Sequence, residues 1–420
     1  MSQLVRFGVF FLTLSVVVGG LNVLVHRRVA TSFQLGATAR RNLGVLLGLG
    51  VLGMLLGRAL GGTVGSTISG LALVLEVGVI VAALLFVVER LVVRVVDAVL
   101  ARRLRVEAPA PARPVPPAAP APDTVSPPDG TASAKLHASS GSLGLSRRDL
   151  LARASASAAL MVGGGSAAYG GLIGRHDYEL EEVPIRLAKL PRTLDGFTIA
   201  QLSDVHLGMF VGEREMARAV ELVRRARPNL VAITGDMVDH DPAFADVLGR
   251  LTRMLGALAP VVVVPGNHDH YAGVDVVLDR VRRAAGTVLD NRHVRVGEGR
   301  IFVAGVDDLW ARRFRLGRGP DLDAALQERR DDEPCVLLAH QPAFFEEAAE
   351  RVDLQLSGHT HGGQFNLGVR PADYVMPHGW VAGRYAVGSS QLYVNRGFGT
   401  AGPPARVGAP PEVTRLVLTV

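Results

Sequence analysis

Residues 7–25 run nineteen positions without a charged side chain. At 1.5 Å per helical residue such a run crosses a hydrocarbon core of roughly 30 Å, so the chain is expected to begin with a transmembrane helix. Two further candidate spans follow: residues 43–60, rich in glycine and interrupted by Arg58, and residues 68–88, which carry Glu76. Arginine sets the orientation. Arg27, Arg28, Arg40 and Arg41 follow the first run, and Arg90, Arg94, Arg102, Arg103 and Arg105 follow the third. Both groups are expected in the cytoplasm, with the first terminus outside and the chain inside after span three. Glu76 is read as a polar contact between helices ahead of a functional intramembrane carboxylate.

This pattern also accounts for the charge. The chain carries 45 Lys+Arg against 39 Asp+Glu, a formal +6, which taken alone would invite a nucleic-acid partner. The first 150 residues hold 15 basic and 7 acidic side chains, and the remaining 270 hold 30 and 32, so the excess belongs to the membrane part and no nucleic acid is expected. Cys335 is the single cysteine, which excludes a disulfide framework and any multi-cysteine zinc or iron–sulfur site within one chain.

The sequence divides into four regions: a membrane domain at 1–106 with about three transmembrane helices, a Pro/Ala/Ser-rich linker at 107–145, a signal or anchor helix at 146–174, and a globular domain at 175–420. The linker holds nine of the 24 prolines between residues 108 and 130, and has too little apolar surface to offset the entropy of ordering. At its end, Ser146-Arg147-Arg148-Asp149-Leu150-Leu151 precedes a mildly apolar run to Ile173 and resembles a twin-arginine export signal. Ser146 and Asp149 also form a Ser-x-x-Asp capping pattern that would open an ordinary helix. With Arg147 and Arg148 in the cytoplasm, a fourth span from Leu150 to Ile173 would carry everything after it outside, with the twin-arginine translocase as a partner.

After Tyr178 short β-rich runs at 197–203, 230–234, 261–264, 301–304, 335–339, 354–357, 392–395 and 416–419 alternate with helical stretches at 214–227, 244–255, 274–285 and 322–329. Chemistry-bearing residues sit just past the strand ends. The first run opens into Ser203-Asp204-Val205-His206, the second into Gly235-Asp236-Met237-Val238-Asp239, and the third into Gly266-Asn267-His268-Asp269. Two later runs end in His340 and in Gly358-His359-Thr360-His361-Gly362-Gly363-Gln364. Oxygen and imidazole donors without thiolate suit divalent Mn, Fe, Zn or Co.

This ordered set resembles the calcineurin-like metallophosphoesterase superfamily over residues 195–420, with all five motifs intact. Within it, the Gly-Gly-Gln extension, Val306-Asp307-Asp308, Asn395-Arg396-Gly397-Phe398-Gly399-Thr400 and Pro411-Glu412-Val413 are most similar to bacterial membrane-associated phosphodiesterases, some of which carry twin-arginine signals. The resemblance implies an α/β fold, a four-layer αββα sandwich behind the N-terminal transmembrane helices, and two divalent metal ions. It implies Asp204, His206, Asp236 and His361 around one ion and Asp236, Asn267, His340 and His359 around the other, so that Asp236 bridges and a hydroxide held between the metals attacks phosphorus in line. His268 would stabilise the transition state or protonate the leaving oxygen, with Asp239 orienting it.

His240, His270, His293 and His378 are expected to be solvent-facing or structural. His240 stands where the superfamily's protein phosphatases have a phosphate-binding Arg, which argues against a phosphoprotein substrate. Asp269 is expected to support its own loop, Gln364 and Arg396 either to brace the ligands from behind or to meet substrate, and Cys335 to be a buried strand residue. The expected function is a metal-dependent phosphoric ester hydrolase, anchored by several passes in the inner membrane with its catalytic domain outside the cytoplasm. Its expected partner is a phosphorylated lipid or envelope-linked phosphodiester or pyrophosphate. Two alternatives are a cytoplasm-facing pyrophosphatase of a nucleotide-linked glycolipid precursor such as UDP-diacylglucosamine, and a non-catalytic membrane scaffold or sensor. The intact motif set speaks against the last.

Overall fold

A computed structural model describes residues 3–60, 62–106 and 146–420; the linker at 107–145 lies outside the described residues. The first region is four long helices: α1 (Gln3–Ser32), α2 (Ala37–Leu60), α3 (Gly62–Val106) and α4 (Arg147–Leu172). Ser146 caps α4, its hydroxyl accepting from the Asp149 amide at 3.1 Å, so the Ser-x-x-Asp pattern does open a helix. Among the described residues, three stretches, Ala37–Gly57, Val64–Arg102 and Arg147–His176, are long and apolar enough to cross a membrane. Leu46, Leu49, Leu71, Leu84 and Val88 are exposed along these helices, an apolar outer face that water would not favour.

Contacts fix how the helices run. Asn22 on α1 donates to Glu76 on α3 at 2.7 Å, and Arg28 pairs with Glu89 one and a half turns or more further along each helix, so α1 and α3 are parallel. On α4, Ser155 donates to Glu89 at 3.0 Å and Gly163 faces Gly78, so α4 runs back along α3. The approach at Gly163 is backbone to backbone, since a Cβ there would fall 2.4 Å from the Gly78 carbonyl oxygen. Arg153 donates to the Ser32 carbonyl, which joins the start of α4 to the end of α1. Glu76 is buried and bonded to Asn22, the interhelical polar contact expected of it. Arg27, Arg28, Arg40, Arg90, Arg147 and Arg148 thus gather at one end of the bundle. The other end meets the globular domain, where the Arg406 amide donates to the Gly170 carbonyl at 3.1 Å and Phe210 lies against Gly70.

The globular domain contains twelve strands and seven further helices. Its strands are β1 (Glu179–Arg186), β2 (Thr198–Leu202), β3 (Leu230–Thr234), β4 (Val261–Val264), β5 (Thr287–Val288), β6 (Arg292–Val296), β7 (Ile301–Gly305), β8 (Cys335–Leu338), β9 (Leu354–Ser357), β10 (Gly383–Val387), β11 (Ser390–Val394) and β12 (Glu412–Thr419). Its helices are α5 (Glu213–Ala226), α6 (Ala245–Gly256), α7 (Asn267–Tyr271), α8 (Val274–Arg283), α9 (Leu309–Phe314), α10 (Leu322–Ala325) and α11 (Phe345–Ala348). One sheet has the order β1-β12-β2-β3-β4-β5 and the other β10-β11-β9-β8-β7-β6.

Alternation along each strand builds the layers. On β3, Leu230 and Ala232 join Val262, Val336, Leu354 and Leu356 in a core between the sheets, while Val231 and Ile233 face Leu222, Leu251 and Val281 of the helices outside. On the far side, Phe302, Leu337 and Leu392 pack under Phe344, Phe345 and Trp380. The result is the four-layer αββα sandwich. The strands missed in the sequence, β1, β5, β6 and β10, are the four edge strands of the two sheets, with partly exposed, charged or short runs. The expected helix at 322–329 ends early, at Ala325.

Candidate metal centre

Strands β2, β3 and β4 are parallel neighbours in one sheet and β7, β8 and β9 in the other. Their carboxyl ends therefore share one edge, and every motif read from the sequence leaves the sheets there. Asp204 and His206 follow β2, Asp236 follows β3, Asn267 and His268 follow β4, His340 follows β8, and His359 and His361 follow β9. Five of these residues, Asp204, His206, Asp236, His359 and His361, have φ between 49° and 72°. A non-glycine residue held there costs about 1 kcal/mol or more, and backbone bonds across the site hold it: Asp204 N to Gly235 O at 3.0 Å, and His206 N to Asp236 O at 3.0 Å. This left-handed geometry turns side chains two apart into the same space.

The side chains form overlapping trios. Asp204, His206 and His361 bring one donor atom each within 4.8 Å of one another, as do Asp236, His340 and His359, and so do His206, Asp239 and His268. Asp236 lies between the first two groups, with Oδ2 at 3.6 Å from His206 Nε2 and 3.3 Å from His340 Nε2. His206 Nε2 and His361 Nε2 face each other at 3.1 Å, and His359 Nδ1 faces His340 Nε2 at 3.2 Å. Imidazole nitrogens converging in pairs beside a shared carboxylate are a donor set that divalent cations fit. The Asn267 Oδ1 atom is buried without a hydrogen-bond partner, as a ligand oxygen would be. His340 Nδ1 meets the Thr234 carbonyl at 2.8 Å, which leaves Nε2 as the nitrogen facing the site. Burial opposes protonation of this ring, but Asp236 and Asp204 outweigh it and hold it well above the usual histidine range, so a cation bound there would take the place of the Nε2 proton.

Electrostatics agree with that use. Burial, then the neighbouring His340, pushes His359 down to about 3; burial, then His206 and Arg406, holds His361 well below the usual histidine range. Both are neutral imidazoles, the form that binds metal. His268 behaves oppositely. Burial opposes its protonation, but Asp236 and Asp239 outweigh that and raise it to about 9. Its Nδ1 lies 3.1 Å from Asp239 Oδ1, so Nε2 is the nitrogen left to meet a ligand. Asp239 in turn is held well below the carboxylate range, burial being overcome by hydrogen bonds from His206, His240 and His268.

His240, expected to be solvent-facing or structural, is solvent-facing and also touches the site: its Nδ1 is 2.8 Å from Asp239 Oδ1 and its ring packs edge-on against His268 at 4.7 Å. It is half-exposed at the rim. His270 is structural, bonded to Asp307 at 2.7 Å; His293 stacks on Phe302; His378 pairs with Glu346 at the surface. Asp269 reaches beyond its own loop, accepting from the amides of Met237 and Val238 as well as Gly266 and so clamping two motif loops together. Cys335 is buried in β8, as expected.

Of the two roles open to Gln364 and Arg396, their contacts match bracing rather than substrate contact. Gln364 is buried, donating to the Ala401 and Pro403 carbonyls, and Arg396 is held by Glu179, Glu181 and Glu412. Sequence reasoning missed Arg406, which is fully buried behind the site. Its guanidinium donates to the carbonyls of Arg396, Gly397, Gly399 and Ala409 and lies 3.1 Å from His361 Nδ1. Pro403-Pro404-Ala405-Arg406 offers no motif that would mark it. Trp310 closes one wall, edge-on to His359 at 5.1 Å.

Comparison with known proteins gives the same family. Residues 197–363 match the model of the calcineurin-like phosphoesterases. An uncharacterized metallophosphoesterase of Bacillus subtilis, YkuE, is 34% identical over 65% of this chain and 98% of that protein. A transmembrane protein with metallophosphoesterase domain from Danio rerio is 34% identical over 62% of this chain, which spans 62% of that protein's length. Among solved structures, a dimetal phosphatase from Danio rerio is 16% identical over 49% of this chain and 88% of that one, with a TM-score of 0.34. The fold and site define a metal-dependent hydrolase of phosphoric esters. The chain belongs to the calcineurin-like metallophosphoesterases.

Proposed function

We propose that this protein is a binuclear-metal phosphodiesterase, anchored by its four helices and facing away from the cytoplasm, that hydrolyses phosphodiester or pyrophosphate bonds in lipid- or envelope-linked substrates. The observation that carries the chemistry is the meeting of two His/Asp groups at Asp236. Asp204, His206 and His361 would hold one ion and Asn267, His340 and His359 the other, with Asp236 shared. Divalent ions bound there supply Lewis acidity to the phosphoryl oxygens and to the attacking water.

The remaining work falls to the chain. Asp239 fixes the His268 ring so that Nε2 points out of the pair, and the protonated ring can give its proton to the leaving oxygen. The Asp236 Oδ1 accepts from the His268 amide at 2.8 Å, which locks the two motif loops together and keeps that nitrogen in reach. Trp310 and His240 border the opening and would exclude water from one side.

The anchoring reading rests on the bundle. Arginines gather at one end and the catalytic domain at the other, so the positive-inside tendency supports an extracytoplasmic site. Export of α4 through the twin-arginine route would deliver a folded, metal-loaded domain. A topology reporter fused after Val420 tests this: signal outside the cytoplasm that is lost on Arg147→Lys/Arg148→Lys is expected. Cytoplasmic signal with both arginines intact would overturn it and favour the nucleotide-linked glycolipid precursor. For the chemistry, the full chain purified in detergent with Mn²⁺ is expected to turn over bis-p-nitrophenyl phosphate; no turnover with any divalent metal would favour a scaffold role.

A further inference from the structure

The turn that carries His361 continues into a segment unlike the rest of the domain's surface. Between Leu367 and Val375, four apolar side chains face solvent: Leu367 at 42%, Val369 at 64%, Tyr374 at 86% and Val375 at 79% exposure. The segment's two charges, Arg370 and Asp373, pair with each other at 2.7 Å. Nothing here serves the core, and nothing presents net charge to water.

Its root is fastened to the membrane anchor. The Asn366 amide donates to the Val407 carbonyl at 2.7 Å, and the Asn366 side chain donates to Gly408 at 2.9 Å. The Val407 side chain lies against Gly170, and the next residue back, Arg406, donates its amide to the Gly170 carbonyl. Gly170 is the third residue from the end of α4, whose following Leu172 and Ile173 are themselves 76% and 58% exposed. An apolar helix surface that continues to its last turn marks the level where the bilayer would end. The apolar segment therefore springs from that level, and its other end is the turn of His361.

We propose that residues 367–375 form an apolar lip seated in the headgroup layer of the bilayer that holds α4, so that the site takes the phosphoester of an amphiphile still resident in that bilayer. The lip rests on the membrane-anchored reading above and adds the substrate's physical state to it. Interfacial apolar side chains beside a paired charge are suited to that layer. The consequence for catalysis is positional: the bond to be cleaved lies at headgroup depth, and the lip holds the mouth of the metal centre there.

The test uses the buried Cys335 as an advantage, since an added surface cysteine is the accessible thiol. Ile173→Cys, Val369→Cys, Tyr374→Cys and Val276→Cys, the last on α8, are each labelled with an environment-sensitive fluorophore in the full chain. Each is then placed in phosphatidylcholine nanodiscs carrying brominated acyl chains. Quenching at Ile173 and at Val369 or Tyr374, with none at Val276, is expected. Quenching at Ile173 alone overturns the lip while leaving the anchor intact; no quenching at Ile173 overturns the anchor itself. A blue shift at Tyr374 without bromine quenching means contact with a second copy and also overturns the lip. In parallel, Tyr374→Asp/Val375→Asp is expected to lose tenfold or more of its rate on p-nitrophenyl hexadecyl phosphate in vesicles and less than twofold on soluble p-nitrophenyl ethyl phosphate. Equal effects on both would contradict the proposal.

Discussion

His268 Nδ1 stands 3.1 Å from the Asp239 carboxylate and 3.0 Å from the Asp239 carbonyl, so one residue fixes both the tautomer and the direction of the ring. The ring's other nitrogen is thereby reserved for the ligand. His268→Ala is expected to lower kcat by about 10²- to 10⁴-fold, the range of a lost general acid, while metal content is retained. Asp239→Asn should show a smaller loss, because the carbonyl contact persists. Parallel kinetics and metal analysis on the two variants check this; loss of metal in His268→Ala would reassign that histidine as a ligand.

Arg406 carries a different burden. Truncation to alanine would leave four carbonyls of the 396–409 loop without their donor inside a closed space, and would release His361. A loss of about 3–5 kcal/mol in unfolding free energy is expected, as for a buried charge whose network is broken. Thermal unfolding in detergent measures it, and a shift within error of the wild type would show that the loop holds without the guanidinium.

Cys335 gives a simple check of the sheet. Burial, first of all, pushes its thiol up to about 12, so the thiolate is scarce at ordinary pH as well as inaccessible. No reaction with a chromogenic disulfide reagent is expected between pH 7 and 9 in the folded protein, with one equivalent reacting after denaturation.

The His270–Asp307 pair sets a pH window. Burial would raise the Asp307 carboxyl, but the bond to His270 outweighs it and holds the group below its ordinary value; His270 is held above its own, burial being overcome by Asp307. The aspartate's contribution to stability is present above its unfolded value of about 3.9 and is lost as pH falls through the lower folded value. The histidine's is complete below about 6.5 and is lost as pH rises through the higher folded value. Asp307→Asn should therefore cost most between about pH 4 and 6.5, by about 1.5–3 kcal/mol. Melting curves across pH should show the gap to wild type narrowing on the alkaline side.

What the sequence disclosed follows a physical pattern. Fully buried parallel strands such as β3 and β4 have nearly continuous apolar runs with glycine or proline at their ends, and their limits were legible to the residue. Edge strands such as β6 and β10 are held by tertiary pairing rather than by an apolar run, and were not. The motif residues were legible because left-handed turns at strand ends demand short, recognisable strings. For Arg396 and Gln364 two roles stayed open in the sequence, bracing or substrate contact, because nearness to His361 or to a motif says nothing about which carbonyls or carboxylates claim a long polar side chain. His240 and Arg406 show the same limit from the other side: Arg406 gathers carbonyls of its own 396–409 loop, whose path no short string announces, and His240 meets the His268 ring only through the fold.

The central claim is that two metal ions share Asp236. The most direct measurement is metal content by mass spectrometry on the purified full chain and on Asp236→Asn, taken beside turnover of bis-p-nitrophenyl phosphate. The wild type is expected to hold two equivalents and to be active, and the variant to lose at least one equivalent and nearly all turnover. One equivalent in a fully active wild type, or wild-type turnover in Asp236→Asn, would contradict it.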